Sequence, residues 1–161
     1  MIRYLRTDST DTDFQGLVRS LDAYLARING EEHSFYAQFN GIALLKQTVV
    51  AYRNNVPLGD IPVGCGAIKL YAADDSPFPK GTMEIKRMFV REDVRGQGIA
   101  QGILKHLEEW AKETGAPVCI LETSTNLGAA VRLYEQSGYA RIPNYGQYAG
   151  APSSVCMQKV L

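Results

Sequence analysis

The apolar positions of this chain change period several times, and each change marks an element. Ile2–Thr7 alternates as a first strand. Phe14, Leu17, Val18, Leu21, Tyr24, Leu25 and Ile28 then recur at helical spacing. Thr12 and Gln15 form a capping-box pattern at one end of this helix, and Asn29-Gly30 closes the other. EEHSFYAQF, 31–39, predicts a short second helix. ALLKQTVVAYRNN (43–55) and IPVGCGAIKLYAA (61–73) read as two strands, joined by a turn around Asn54-Asn55 and Pro57-Leu58-Gly59. After a DDSPFPKG loop, Met83–Val90 predicts a strand. A helix over 97–114 follows, with an apolar stripe of Ile99, Ile103, Leu104, Leu107 and Ala111. Gly115 ends it and Pro117 prevents its resumption. The run 118–123 is nearly all apolar, as a strand buried on both faces requires. A helix over 126–136 ends at Ser137-Gly138, a stretch rich in Tyr, Gly and Pro follows, and 155–161 closes as a strand.

The strand–helix–strand unit from 83 to 123 predicts a right-handed parallel crossover, and the hairpin-like strands around it should be antiparallel. A mixed α/β domain with helices packed on a mixed sheet follows. The sequence shows no repeat, low-complexity tract or linker, so a single domain over 1–161 is expected.

Charge narrows the possible partners. The 17 basic and 17 acidic residues cancel, which removes the electrostatic footprint of a nucleic-acid binder. No apolar run approaches the roughly 18 residues of a membrane span, and MIRYLRTDSTDTD carries no signal-type apolar region. A cytoplasmic location with no membrane partner is expected. Cys65, Cys119 and Cys156 are far apart in apolar runs, without metal spacing, and read as buried free thiols.

The glycines at 96 and 98 need a further explanation, because a plain connector needs one at most. A phosphate-binding P-loop is excluded, since no lysine here is followed by Ser or Thr. A dinucleotide fingerprint would match Gly96-x-Gly98, with Glu122 as the ribose ligand. Its third glycine position is Gln101, however, and REDVR separates the glycines from the strand. A third reading needs only the helix start, whose unpaired amides form an anion site that glycines leave open to a pyrophosphate. A bare helix cap is the alternative without a ligand.

At this point the chain resembles the GNAT N-acetyltransferase superfamily. RGQGIA fits that family's R/Q-x-x-G-x-G/A signature as Arg95-x-x-Gly98-x-Ala100. AAVRLYEQSGY resembles its A-x-x-x-Y-x-x-x-G-F/Y segment through Ala130, Tyr134, Gly138 and Tyr139. The resemblance covers 83–160 in the family's order. It implies a mostly antiparallel seven-stranded sheet with one parallel crossover and about four helices. It also implies acetyl-coenzyme A as co-substrate, no metal, a small-molecule or peptide amine as acceptor, and a possible homodimer. Main-chain groups of Met88, Phe89 and Val90 would pair with the pantetheine amides. Those of Gly96, Gln97, Gly98, Ile99, Ala100 and Gln101, beside Arg95, would hold the phosphates. Family members carry an asparagine seven residues before the tyrosine. Here that position is Leu127, and Asn126, one place earlier, is either a cofactor contact or a helix N-cap.

Transfer to an amine needs the neutral form of a group whose pKa is near ~10.4, and the departing thiolate benefits from a proton donor. By resemblance Tyr134 is that donor, or else it simply packs on an apolar helix face. Glu84 and Glu122 are the candidate bases, with substrate binding or ion pairs to Lys86 or Arg87 as alternatives. Period-2 alternation puts Glu84 on one strand face with Met88 and Val90. His106 reads as solvated, while His33 could face a substrate. The acceptor site implied by the family spans 29–40, with Glu31, Glu32 and His33, and 144–154, with Tyr145, Gln147 and Tyr148. The rival classes are a non-catalytic acyl-coenzyme A-binding domain and a nucleotide-binding oxidoreductase.

Overall fold

A computed structural model describes residues 1–38 and 41–161. Its strands are β1 (Ile2–Thr7), β2 (Gln47–Asn55), β3 (Gly59–Leu70), β4 (Met83–Val90), β5 (Val118–Ser124), β6 (Ala140–Ile142) and β7 (Ser154–Val160). Its helices are α1 (Thr12–Asn29), α2 (His33–Ala37), α3 (Ile99–Glu113) and α4 (Gly128–Gln136). The strands form one seven-stranded sheet in the order β1-β2-β3-β4-β5-β7-β6. β4 and β5 run parallel, whereas β1–β2, β2–β3, β5–β7 and β6–β7 are antiparallel. The mixed, mostly antiparallel sheet is therefore the one the sequence predicts. The expected short helix at 31–39 is a 3-10 turn, Gly30–Glu32, running into α2; Phe39 and Asn40 lie outside the described residues. Among the described residues no helix is long and apolar enough to cross a membrane.

Two compact units make up the chain, one of Met1–Ile68 with Lys86–Leu107 and one of Lys69–Ile85 with Glu108–Leu161. In the first, α1 is capped by Asp11, whose Oδ1 accepts the Phe14 amide at 2.8 Å. This replaces the expected Thr12 capping box. Asp is as good an N-cap acceptor as Ser or Thr, and Gln15 instead donates through Nε2 to the Ser9 carbonyl. The apolar stripe of α1 buries Phe14, Leu17, Val18 and Leu21 against Val50, Tyr52, Cys65, Ala67 and Phe89. The Ile103 and Leu107 side chains of α3 reach Gly66, and a Cβ at Gly64 would lie 2.9 Å from both Ile103 Cδ1 and the Phe89 carbonyl oxygen. Tyr4 crosses α3 at Gly102, where a Cβ would sit 1.9 Å from the phenol oxygen. His106, expected to be solvated, stacks on the Tyr4 ring at 4.5 Å, with Nδ1 2.8 Å from the Gly102 carbonyl oxygen. Ring stacking on a neighbouring strand was not visible in the helical period.

In the second unit β5 pairs with β7 from Val118↔Val160 to Ser124↔Ser154, and its residues 118–121 are buried. The three-residue β6, unmarked in the Tyr/Gly/Pro-rich stretch, pairs with β7 from Ala140↔Gln158 to Ile142↔Cys156. The helix expected at 126 begins at Gly128, and its N-cap position is Leu127, without a side-chain hydrogen bond. The Asn126 amide donates to Ser124 Oγ and its side chain is exposed, so Asn126 is not the N-cap.

Replacing Gly64 by Ala forces a methyl against a main-chain oxygen and a buried isoleucine. We expect a loss of about 1–3 kcal/mol, measured by urea unfolding.

Candidate active site

The helix α3 starts at Ile99, the first residue of its apolar stripe and two residues later than the helix expected over 97–114. Gly96 and Gly98 adopt φ of 78° and 76°, left-handed values that a right-handed helix cannot include and that glycine tolerates without a Cβ penalty. The first amide of the helix to find a main-chain acceptor is Gly102, donating to Gly98 at 3.1 Å. Among the described residues, no hydrogen bond inside the fold engages the amides from Gly96 to Gln101. Among the described residues, a Cβ built on Gly96 would meet nothing within 4 Å, while one on Gly98 would lie 3.5 Å from the Gln101 side-chain oxygen, so the space above Gly96 is open. Unpaired amides converging at a helix start carry partial positive charge, which suits an anion.

Arg95 does not extend into this open turn. Its Nε donates to the Val90 carbonyl at 2.9 Å, and its guanidinium lies 4.7 Å from the centroid of Tyr24 on α1. Before it on β4, Arg87 has a left-handed φ of 56°, rare for any residue but glycine. Its side chain, 2% exposed, donates through Nη2 to the Asp22 carboxylate. The left-handed residue breaks the two-residue alternation of the strand. Counting by twos from Glu84 to Met88 and Val90 therefore does not carry a face across Arg87, contrary to the expectation from the sequence. The parallel ladder of β4 with β5 consists of Met83↔Cys119 and Glu84↔Ile120.

The second unit gathers the titratable candidates. Glu84 is 6% exposed, and its Oε2 accepts the Tyr145 phenol at 2.5 Å. Tyr145, 4% exposed, is held edge-on by Tyr71, Phe78 and Tyr148 with centroids 5.2–5.8 Å away. Burial first, and then the Glu84 charge, raise this phenol far above its ordinary range, so Tyr145 keeps its proton and donates. Glu122 of β5 stands opposite Cys156 of β7 in register. Tyr134, buried on α4, is likewise raised above the usual 10.0, by burial and then by the charge of Glu122. Tyr148 is raised by burial, then by Glu122 and Glu84. Burial is the main cause that pushes the Cys156 thiol up to about 11, and the Cys65 and Cys119 thiols to about 12. All three cysteines are free, buried and protonated at neutral pH, as their apolar contexts imply, which leaves no thiolate nucleophile among them.

Residues 14–139 match the acetyltransferase (GNAT) family. The chain belongs to that family. It is an acyltransferase. An "IAA acetyltransferase" of Azospirillum brasilense is 30% identical over 90% of this chain and 88% of its own. A protein of Klebsiella pneumoniae, provisionally named an acyl-CoA N-acyltransferase, superposes with a TM-score of 0.77 at 27% identity, covering 100% of this chain and 98% of its own. A Bacillus anthracis protein, provisionally named a streptothricin acetyltransferase and solved with acetyl coenzyme A, shares the fold with a TM-score of 0.57. It is 20% identical, over 77% of this chain and 67% of its own.

Within this acetyltransferase, the predicted residues fall into two groups. Met88, Phe89 and Val90 and the turn from Arg95 to Gln101 lie in the first unit, and Glu84, Glu122 and Tyr134 in the second. Of the loop side chains expected to face an acceptor, Tyr145 and Tyr148 are buried and Gln147 is exposed. Sequence reasoning missed the Tyr145–Glu84 bond, which joins positions 61 apart, and the place of Tyr24 beside Arg95. Arg87 pairs with Asp22 on α1, so it is not the ion-pair partner the sequence offered Glu84.

Tyr145→Phe removes a hydrogen bond to a buried carboxylate while keeping the ring. A loss of about 1.5–3 kcal/mol is expected in chemical denaturation at pH 7.

Proposed function

We propose that the chain transfers an acetyl group from acetyl-coenzyme A to a primary amine of a small molecule or peptide, within a ternary complex, as one domain over 1–161. The observation that carries this reading is the run of unbonded amides from Gly96 to Gln101, open above Gly96, in a chain of this family. These amides would receive the pyrophosphate, and the main chain of Met88, Phe89 and Val90, beyond the two-pair ladder with β5, would pair with the pantetheine amides. Asn126, exposed before α4, is the remaining candidate contact to the cofactor. When bound, acetyl-coenzyme A supplies an acyl group activated as a thioester. The complex of the Bacillus anthracis relative with acetyl coenzyme A supports that choice of co-substrate.

Tyr134 serves as the proton donor to the departing sulfur, a role its raised pKa favours because the phenol is fully protonated at neutral pH. Glu84 or Glu122 takes the proton of the amine, directly or through water. Glu84 already holds the Tyr145 phenol on Oε2, while Glu122 is only half-buried and acts on Tyr134 by its charge. Positioning both reactants in one complex removes several kcal/mol of the barrier by itself. Three free buried thiols suit a reducing compartment, in keeping with a cytoplasmic enzyme.

A panel of amines, amino acids and peptide N-termini with acetyl-coenzyme A should reveal an acceptor; silence across the panel would count against catalysis. On that acceptor, Tyr134→Phe should lower kcat by roughly 10²–10⁴-fold with coenzyme A affinity retained. An unchanged kcat would remove Tyr134 from the chemistry. A donor must be protonated, so its contribution is present at low pH and lost as pH rises through a value above 10.0. The wild-type kcat profile should accordingly show no descending limb below about pH 10. Gly98→Glu places a carboxylate and a strained left-handed side chain at the turn. It should weaken coenzyme A binding by at least about tenfold in calorimetric titration, with NAD giving no heat on either protein.

A further inference from the structure

An arginine beside a glycine turn invites the assumption that its charge sits on the phosphates. In this chain the side chain of Arg95 is engaged elsewhere. The Nε–H is committed to the Val90 carbonyl at 2.9 Å, the last residue of β4. The guanidinium plane covers Tyr24 at 4.7 Å and approaches Phe89 at 5.9 Å. A second link joins the same two segments, since Arg27, one turn further along α1, donates to Glu92 at 2.7 Å. That pair is exposed at both ends and adds little. The Arg95 contacts differ in kind. They fasten the residue preceding Gly96 to the end of a strand and to an aromatic ring half-buried on α1. Between this anchor and the first bonded amide of α3, at Gly102, the amides from Gly96 to Gln101 have no main-chain acceptor among the described residues.

We infer that Arg95 and Tyr24 are a positioning pair, which sets the direction of the Gly96–Gln101 amides without either side chain contacting the bound anion. Tyr24 is thereby assigned a part in cofactor binding from the face of a different helix. The inference rests on coenzyme A binding at the glycine turn, as proposed above.

Calorimetric titration of the full chain with coenzyme A tests it, at two salt concentrations, on wild type, Arg95→Gln, Arg95→Lys, Tyr24→Leu, Tyr24→Phe and the Arg95→Gln/Tyr24→Leu double variant. A cation–π contact at a partly exposed site predicts a loss of about three- to tenfold for Arg95→Gln and for Tyr24→Leu. The double variant should be no weaker than the weaker single, because both substitutions break one arrangement. Tyr24→Phe keeps the ring and should bind as wild type. Arg95→Lys keeps the charge without the fork and should be as weak as Arg95→Gln. The salt dependence should not change in any variant, since no phosphate contact is lost. Rescue by Arg95→Lys, a flattened salt dependence in Arg95→Gln, additive losses, or wild-type binding by Tyr24→Leu would each overturn the positioning role and leave the acetyl-transfer reading standing. Absence of heat from coenzyme A on the wild-type protein would overturn that reading and the positioning role with it.

Discussion

A helix cannot satisfy its own first amides, and in α3 nothing else among the described residues does so. The geometry around that turn follows from this constraint. The two left-handed glycines precede the helix with open space above Gly96, and Val94 and Ile99, both buried, fix the loop on either side. The helix is then held by its apolar stripe, which buries Ile99, Ile103, Leu104, Leu107 and Ala111. Donors that are fixed before a ligand arrives need no reorganisation when it binds, so an anion meets a field already in place.

The second unit shows complementary electrostatics. Its carboxylates lie among buried phenols, and burial together with negative charge drives every one of those phenols toward its protonated form. Tyr145 expresses this by donating to Glu84, which orients one carboxylate oxygen. Tyr134 expresses it by retaining a proton that an exposed phenol would also hold at neutral pH, but over a wider range. The same conditions suppress the thiolate of Cys156, so the environment favours proton donation by oxygen over nucleophilic attack by sulfur.

Much of this was legible in the sequence because it depends on local periodicity. The stripe of α1, the strand Met83–Val90, the stripe of α3 and its stop at Gly115 all appear where the pattern places them. Starts of helices were less legible. Asp11 competes with Thr12 as a cap at equal chemical merit, and the φ angles of Gly96 and Gly98 decide where α3 begins. What could not be read was long-range pairing. Nothing local marks Arg87 as left-handed, since its burial and its bond to Asp22 depend on a helix 65 positions earlier. His106 looked solvated because its partner Tyr4 belongs to the first strand. Tyr145 sits in a stretch whose composition signals only a loop, and its burial follows from the aromatic rings of the 71–78 segment.

The crossing of Tyr4 over Gly102 bears on attempts to harden this protein. Exchanging a mid-helix glycine for alanine is a standard way to raise melting temperature, with a gain of up to about 1 kcal/mol from chain entropy and propensity. At Gly102 the added methyl would overlap the phenol oxygen at 1.9 Å. The tyrosine would have to swing aside and abandon its stack on His106. A thermostabilisation library should therefore hold position 102 fixed, or vary it only together with position 4.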